Sequence, residues 1–129
     1  MRRDTTTTYP GASIIRPRLY LGPDLMMGPG KIALLKAVRD TGSISAAART
    51  LGMSYKRAWY LLNTLNQGFR RPVLEVTRGG RRGGGARLTA LGEVLLAHYA
   101  AIEAACAAAA APHLAALAAL LQDPSPPEP

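Results

Sequence analysis

The chain has few of the residues from which disulfide frameworks, metal centres and acid–base sites are built. Its 129 residues include one cysteine, Cys106, and two histidines. A single cysteine excludes an internal disulfide framework and is compatible with a reducing cytoplasm. One cysteine and two histidines make no metal-ligand spacing, and eight scattered acidic residues make no paired-carboxylate site. We therefore expect no metal, no cofactor and no catalytic constellation, and predict that the protein is not an enzyme.

Targeting and membrane signals are also weak. The start, MRRDTTTTYPGAS, has basic residues but no apolar region behind them, which argues against a secretory signal and favours a cytoplasmic location. The nearly all-apolar run over residues 104–121 is mostly alanine and contains Pro112 and His113. That composition disfavours a membrane span, so no membrane partner is expected. The length allows one domain of ordinary size with its own core.

Positive charge is concentrated in one segment. The formal net charge is +8 and the sequence pI is near 10.4. From Arg49 to Arg87 there are nine basic residues and one acidic residue, Glu75, whereas the rest of the chain has seven of each sign. The whole excess thus belongs to residues 49–87. Such a concentration is typical of a surface that contacts nucleic acid.

Residues 42–69 predict two helices separated by a tight Leu-Gly-Met turn. Ser43 or Ser45 can cap the first helix and Ser54 the second, because a serine hydroxyl accepts a hydrogen bond from an unpaired amide of the first turn. Gly52 gives the turn its backbone freedom. Two capped helices so close together must cross rather than lie antiparallel. The pattern is typical of a DNA-binding helix-turn-helix.

The second of these helices has two distinct faces when residues are placed at 100° intervals. The apolar arc consists of Ala58, Leu62, Leu65 and Phe69. The opposite arc consists of Lys56, Tyr60, Asn63 and Gln67, with Arg57 on its flank. A solvated polar face is the usual interpretation of such an arc. Here the turn, the caps and the charge favour a face that reads base edges in a major groove, with Trp59 at its edge as a packing residue.

Elements on the N-terminal side complete a three-helix core. Pro29 can open a helix over Lys31–Thr41 that Gly42 ends, and the inward residues of that helix are Ile32, Leu34, Leu35 and Val38. Ahead of it, residues 14–21 (IIRPRLYL) predict a short strand. Pro17 confines that strand to a sheet edge or to its own first residues.

A glycine-rich basic loop follows the helix-turn-helix. Residues 73–78 (VLEVTR) and 86–88 (ARL) predict two short strands around GGRRGGG at 79–85, which is the pattern of a wing. Arg81 and Arg82 at its tip can reach phosphate or a minor groove. Nucleotide binding was the other interpretation of the glycines. The loop lacks the Gly-Lys-Ser/Thr ending of a P-loop, and the dinucleotide fingerprint fails too.

The C-terminal third predicts a helix from Thr89 to about Ala111 and a second, short helix over 112–122. One stripe of the first is more apolar than a small core needs, and it consists of Leu91, Leu95, His98 or Tyr99, Ile102 and Cys106. The stripe indicates a partner helix, most simply from a second copy. The expected organisation is a flexible arm over 1–12, a DNA-binding domain with its dimerisation helix over 13–111, and a short helix with a disordered Pro-rich tail over 112–129.

The segments SISAAA, MSYKRAW and GGGARLT together carry a family resemblance. Residues 19 to about 106 resemble the N-terminal DNA-binding domain of ModE-type molybdate-responsive regulators and, more distantly, LysR-type regulators. The resemblance implies a winged helix-turn-helix that dimerises through its N-terminal strand region and long C-terminal helix and binds a palindromic operator. It also implies that the recognition helix starts with Ser54, Tyr55, Lys56 and Arg57, and that the basic wing includes Arg81, Arg82 and Arg87.

Regulators of that type continue into small β-barrels that bind molybdate or tungstate, and residues up to Pro129 show no such module. We therefore expect either a stand-alone DNA-binding form or a separate protein that senses the effector. The predicted fold is mainly α with a small β wing: a winged helix-turn-helix with a long C-terminal dimerisation helix. Tyr60 and Asn63 complete the set of predicted DNA-binding residues. The leading hypothesis is a homodimeric, sequence-specific regulator that binds double-stranded DNA. The alternatives are a protein-interaction module and an architectural DNA binder without sequence preference.

Overall fold

The computed structural model describes residues 14–77 and 85–122. Its elements are β1 (Leu19–Gly22), β2 (Leu25–Met27), α1 (Pro29–Thr41), α2 (Ile44–Leu51), α3 (Tyr55–Gly68), β3 (Leu74–Thr77), β4 (Gly85–Leu88) and α4 (Ala90–Ala118). The strands form two antiparallel hairpins, β1 with β2 and β3 with β4. The prediction of a mainly α fold with a small β wing and a long C-terminal helix is confirmed.

Helix α1 is the centre of the core. Leu34, Leu35 and Val38 are completely buried, and Ile32 lies on the same face, as the helical spacing predicts. The helix begins at Pro29. Proline is tolerated there because an N–H in the first turn has no acceptor within the helix, so its absence removes no hydrogen bond. It ends where Gly42 takes a φ of 74° and its N–H donates to the carbonyl of Val38 at 2.8 Å. The left-handed backbone there requires glycine and turns the chain directly into α2.

The turn between α2 and α3 has the predicted form. Ser43 Oγ accepts a hydrogen bond from the amide of Ala46 at 3.1 Å and caps α2. Ser45, the alternative cap, lies inside that helix and is exposed. Gly52 ends α2 at a φ of 67°, and Ser54 then caps α3. Residues 42–69 are thus a helix-turn-helix packed against α1.

The strand predicted over 14–21 is right only in part. The strand β1 begins at Leu19, two residues after Pro17, which has no N–H to donate to a partner strand. Its partner β2 was not predicted. That strand has only three residues, and Leu25 and Met27 turn inward from it to the core, so it is too short to give a convincing alternation in sequence.

The predicted break at Pro112 is wrong. Helix α4 continues through this residue to Ala118, so the boundary predicted between residues 111 and 112 lies inside one helix. Pro112 lacks the N–H that would bond to the carbonyl of Ala108. This stretch is exposed, so water can hydrate that carbonyl, and alanine and leucine on both sides favour the helix. The arm predicted over 1–12 and the tail from 123 onward lie outside the described residues.

The two halves of α4 have different surroundings. Near its start Leu95, Leu96 and Tyr99 are buried against the three-helix core, whereas His98 is exposed, so the predicted stripe runs through Tyr99. Beyond Tyr99 the helix is mostly exposed. Over its most apolar 18-residue window the mean hydropathy is 1.6 and 17% of the residues are buried. By length and composition alone, this helix could therefore cross a membrane.

Candidate nucleic-acid interface

Helix α3 presents the predicted polar face to solvent. Lys56, Arg57 and Tyr60 are exposed, and Asn63 is half-buried. On the opposite side Ala58, Leu62 and Leu65 are buried, as predicted. Phe69, the fourth residue of the predicted apolar arc, is half-buried and directly follows the last residue of the helix. The structure thus brings Lys56, Arg57, Tyr60 and Asn63 to the outer side of a helix whose other side is fixed in the core.

Ser54 and Tyr55 lie at the start of this face. Ser54 Oγ accepts the amide of Arg57 at 3.1 Å, so its hydroxyl stabilises the first turn of the helix. Tyr55 is 52% exposed. The N-terminus of α3 therefore presents a phenol and two cations from one capped turn. These side chains offer donors to base edges and phosphates without any change in the backbone.

Trp59 is less buried than the packing role predicted for it. Its side chain is 45% exposed. Together with Asn63 and Val76 it lines a notch of about 40 Å³ between α3 and β3. The indole therefore lies partly in solvent, beside the predicted reading face and next to β3.

The described part of the wing consists of its two strands. Glu75 on β3 lies opposite Arg87 on β4, and Arg87 Nη2 approaches Glu75 Oε1 at 3.4 Å. Both side chains are exposed. Arg87 therefore lies near the base of the wing with an acidic neighbour across the hairpin. Arg81 and Arg82, the residues predicted at the tip, lie outside the described residues.

Asn66 joins the wing to α3, and the sequence interpretation missed it. Its Oδ1 accepts the amides of Val73 at 2.7 Å and Leu74 at 3.2 Å, and its Nδ2 donates to the carbonyl of Leu74 at 3.3 Å. Helical periodicity placed this residue on neither the buried nor the reading arc. The available signal was an amide on the flank of the helix, one turn before the Arg-Arg-Pro turn into β3.

The described residues contain no group of three or more histidine, cysteine or acidic side chains that could hold a metal ion. The interface instead combines cations, phenols and amides on one side of a capped helix, beside a hairpin with a basic sequence. This combination can donate to phosphate oxygens and to base edges.

Comparison with known families supports the same interpretation. Residues 30–93 match the model of the bacterial regulatory helix-turn-helix proteins of the lysR family. This segment is therefore similar to the helix-turn-helix domain of LysR-type regulators. The matched range covers α1, the helix-turn-helix, the wing and the first residues of α4. The β1–β2 hairpin and most of α4 lie outside it.

Relatives extend the similarity of this segment to regulators of the ModE type. MopB of Rhodobacter capsulatus, a molybdenum-pterin-binding protein, is 52% identical over 81 residues, 63% of this chain and 30% of the relative. The transcriptional regulator ModE of Yersinia pestis is 44% identical, and the dual regulator ModE of Escherichia coli K12 is 42% identical, each over 63% of this chain and 31% of the relative. The predicted ModE-type resemblance is confirmed. The chain spans about 30% of the length of these relatives.

A solved structure agrees with the fold of this chain. The complex of CbnR_DBD with DNA superposes with a TM-score of 0.52, covering 68% of this chain and 95% of that one. Sequence identity is 24%. The comparison shows that the arrangement of helices and wing is shared by the two proteins.

Proposed function

We propose that this chain is a sequence-specific transcription regulator of the ModE type that binds double-stranded DNA as a homodimer in the cytoplasm. The observation that supports the proposal best is the exposed polar face of α3 within a helix-turn-helix similar to that of LysR-type regulators. Helices in this position of a helix-turn-helix enter the major groove. The basic segment 49–87 supplies the field that attracts the phosphate backbone.

Base readout in this proposal belongs to α3. Lys56 or Arg57 donates to guanine O6 and N7, and Asn63 pairs with an adenine edge through its amide. Tyr55 and Tyr60 add hydroxyl donors and aromatic contact area, while Ser54 keeps the first turn in place. Each good bidentate contact discriminates against a wrong base by about 1–3 kcal/mol.

The wing supplies phosphate contacts in this proposal. Arg87 on β4 and the loop residues Arg81 and Arg82 donate to phosphate oxygens or enter a minor groove. Such contacts strengthen binding to all sequences alike and make it dependent on salt. The reading helix and the wing therefore contribute different, separately measurable quantities.

Dimerisation in this proposal uses α4. An open apolar groove of about 690 Å³ runs between residues 14–16 and the exposed half of the helix, and its lining includes Ile14, Ile15, Ala107 and Leu114. A second copy of α4 would cover this surface. Two copies related by a two-fold axis place their α3 helices in successive major grooves about 34 Å apart, which matches a palindromic operator.

A link to molybdenum metabolism follows from the relatives, whose names include ModE regulators and a molybdenum-pterin-binding protein. Those proteins are about three times as long as the matched region. We include a separate effector-sensing protein among the proposed partners.

Selection of binding sites from random duplexes, with and without molybdate, tests the proposal. Enrichment of a palindrome whose half-sites are one helical turn apart is the expected result. Uniform binding without enrichment would replace the proposal by an architectural DNA binder. Enrichment that requires molybdate would show that this chain responds to molybdate without a separate sensing protein.

The exposed apolar half of α4 favours one other function, a module that recruits a partner protein through this helix. Sedimentation of the wild type and of Ala107→Glu separates the two. The charge at position 107 enters the groove, so it should turn the dimer into a monomer, whereas Ala101→Glu on the exposed side should leave it intact. A monomeric wild type, or a wild type that partitions into membranes, would contradict the homodimer.

A further inference from the structure

The segment that leads from the helix-turn-helix into β3 is held by side chains from two helices. We call Pro72–Leu74 the wing root. From α3, the Asn66 carboxamide accepts two wing-root amides and donates to the carbonyl of Leu74, at 2.7–3.3 Å. One side chain thereby fixes both the donors and an acceptor of consecutive peptide groups, which leaves this stretch little freedom to rotate.

The start of α4 holds the wing root from its other side. Thr89 Oγ1 donates to the carbonyl of Pro72 at 2.7 Å and lies 3.0 Å from that of Val73, which also accepts the amide of Thr89 at 2.9 Å. Gly92, one turn further on, packs so closely that a Cβ atom there would collide with the carbonyl oxygen of Val73. The wing root is therefore a fixed joint among α3, the wing and α4.

Burial makes the Asn66 hydrogen bonds hard to replace with water. Val73 is completely buried and Leu74 is 3% exposed. A buried amide that has neither a protein partner nor a water partner destabilises the folded state, because it has lost the hydrogen bond that water provides in the unfolded chain. Without the acceptor at position 66, the two wing-root amides can regain a hydrogen-bond partner only if this segment moves. Removing the acceptor should therefore displace the wing root.

The position of Asn66 on α3 connects this joint to the reading face. Asn63 lies three residues earlier on the same helix, and both side chains line the notch between α3 and β3. Strand β3 begins within the wing root, at Leu74. The hydrogen bonds of Asn66 therefore join the strand that carries the wing directly to the helix that carries the base-reading side chains.

We propose that Asn66 is a positioning residue that sets the wing at a fixed place relative to α3, so that both contact the same DNA site. This inference rests on the proposed function. In this proposal Asn66 itself contacts no base. The residue determines how many phosphates the wing reaches while α3 occupies the major groove.

The test compares Asn66→Leu with the wild type on the selected DNA site. Leucine keeps the branched shape and the number of heavy atoms of the asparagine side chain and is somewhat larger, but it has neither acceptor nor donor. Discrimination between the selected site and a site with one substituted base should stay within about twofold, because the reading face is unchanged. The slope of log Kd against log salt should fall by about 1 for each phosphate contact that the displaced wing loses.

Hydrogen exchange on the free protein tests the joint without DNA. The amides of Val73 and Leu74 should exchange at least about tenfold faster in Asn66→Leu, if loss of a hydrogen bond opens the segment locally. Asn66→Asp keeps an acceptor for both amides and loses only the donor to the carbonyl of Leu74, so it should retain more of the protection of Val73 and Leu74 than Asn66→Leu does. Equal exchange in Asn66→Leu and the wild type would overturn the proposal at this step.

A core variant separates positioning from general loss of stability. Ile32→Val removes one methyl group from the buried face of α1 and should leave the salt slope unchanged. The positioning role is wrong if folded Asn66→Leu keeps the full slope, or if Ile32→Val lowers it equally. If the wild type binds no duplex, the proposed function is wrong, and so is the role of Asn66 on DNA. The hydrogen-exchange experiment would still show whether Asn66 holds the wing root in the free protein.

Discussion

The hydroxyl of Tyr99 donates a hydrogen bond to the carbonyl of Pro17 at 2.6 Å, across a separation of 82 residues. Tyr99 is 2% exposed, and the hydrogen bond is partly buried. It ties the segment ahead of β1 to the buried half of α4. The N-terminal hairpin and the C-terminal helix are thereby joined beside the three-helix core.

Removing this hydrogen bond should destabilise the protein without creating a cavity. Tyr99→Phe should lower the free energy of unfolding by about 1 kcal/mol, because the carbonyl of Pro17 loses its donor while the ring still packs. Urea denaturation measures the change. Tyr20→Phe is the matched control: this side chain is 75% exposed, so its loss should have an effect of less than about 0.5 kcal/mol. Equal effects at the two positions would contradict the assignment.

The same phenol should make stability depend on pH in alkaline solution. Burial raises the pKa of Tyr99 above its ordinary value, and the Glu103 carboxylate raises it further while Arg16 opposes the change. In the unfolded chain the phenol titrates near pH 10. The folded state keeps its proton in the window above that pH, so this stabilisation is complete below about pH 10 and is lost as the pH rises through the folded pKa.

The free energy of unfolding of the wild type minus that of Tyr99→Phe isolates this group from other alkaline titrations. The difference should be constant at neutral pH and shrink above about pH 10. A difference that grows with pH would show that the pKa is lowered instead.

The two helix caps should contribute separately. Ser43→Ala and Ser54→Ala should each lower the free energy of unfolding by about 1 kcal/mol, because each removes the acceptor for an amide in the first turn. Ser45→Ala serves as the control. Ser45 is exposed inside α2, where alanine is at least as favourable, so stability should stay within about 0.5 kcal/mol. A larger loss from Ser45→Ala would mean that α2 begins elsewhere.

Glu75 should weaken the binding of DNA by the wing. Its carboxylate lies 3.4 Å from Arg87 Nη2, and it is the single acidic residue between positions 49 and 87. Glu75→Gln should tighten binding to all duplexes alike and steepen the salt dependence, because Arg87 is released to contact phosphate. The exposed ion pair contributes at most about 1 kcal/mol to stability, so folding should hardly change.

Asp24→Asn makes the same change in net charge in the β1–β2 turn. It should improve binding less than Glu75→Gln does. Fluorescence anisotropy at several salt concentrations compares the two variants. Equal improvement would show that only net charge matters and that the Glu75–Arg87 pair has no specific effect.

Pro112→Ala should extend the protection of α4. A proline inside a helix is less favourable than alanine by about 3 kcal/mol, since it removes a hydrogen bond and crowds the carbonyl four residues earlier. The surrounding turns are exposed, so the gain should appear as slower amide exchange over residues 108–118 and more helical circular dichroism. The unfolding midpoint of the core should move little. His113→Ala is the neighbouring control, and a comparable gain there would assign the effect to alanine content.

Sequence patterns were sufficient wherever one local rule decides the structure. The 3.6-residue spacing identified the buried residues of α1 and α3, and the glycines at 42 and 52 marked both helix ends because each takes a positive φ. The wing strands were also found, since β3 and β4 alternate around a glycine-rich loop. On the candidate interface, the same spacing gave the outer face of α3, where Lys56, Arg57 and Tyr60 are exposed.

The misses have a common physical cause, which is that tertiary contacts decided them. Strand β2 is too short to show a period, and it is held by burial of Leu25 and Met27 in the core. Asn66 has no distinctive spacing, because its importance comes from a strand that returns to it seven and eight residues later. At Pro112 the local rule predicted an end, whereas the helical preference of the residues around it prevailed.

Gly42 has a consequence for the order in which the chain folds. Its carbonyl, at the left-handed end of α1, accepts the amide of Ala86 on β4 at 2.9 Å. The wing therefore docks on a backbone group that is correctly oriented only after α1 has ended and turned into α2. The loop between Gly42 and Ala86 is long, and closing it costs conformational entropy before this hydrogen bond can form. We therefore expect the helix-turn-helix to form in the folding nucleus and the wing to pack onto it afterwards.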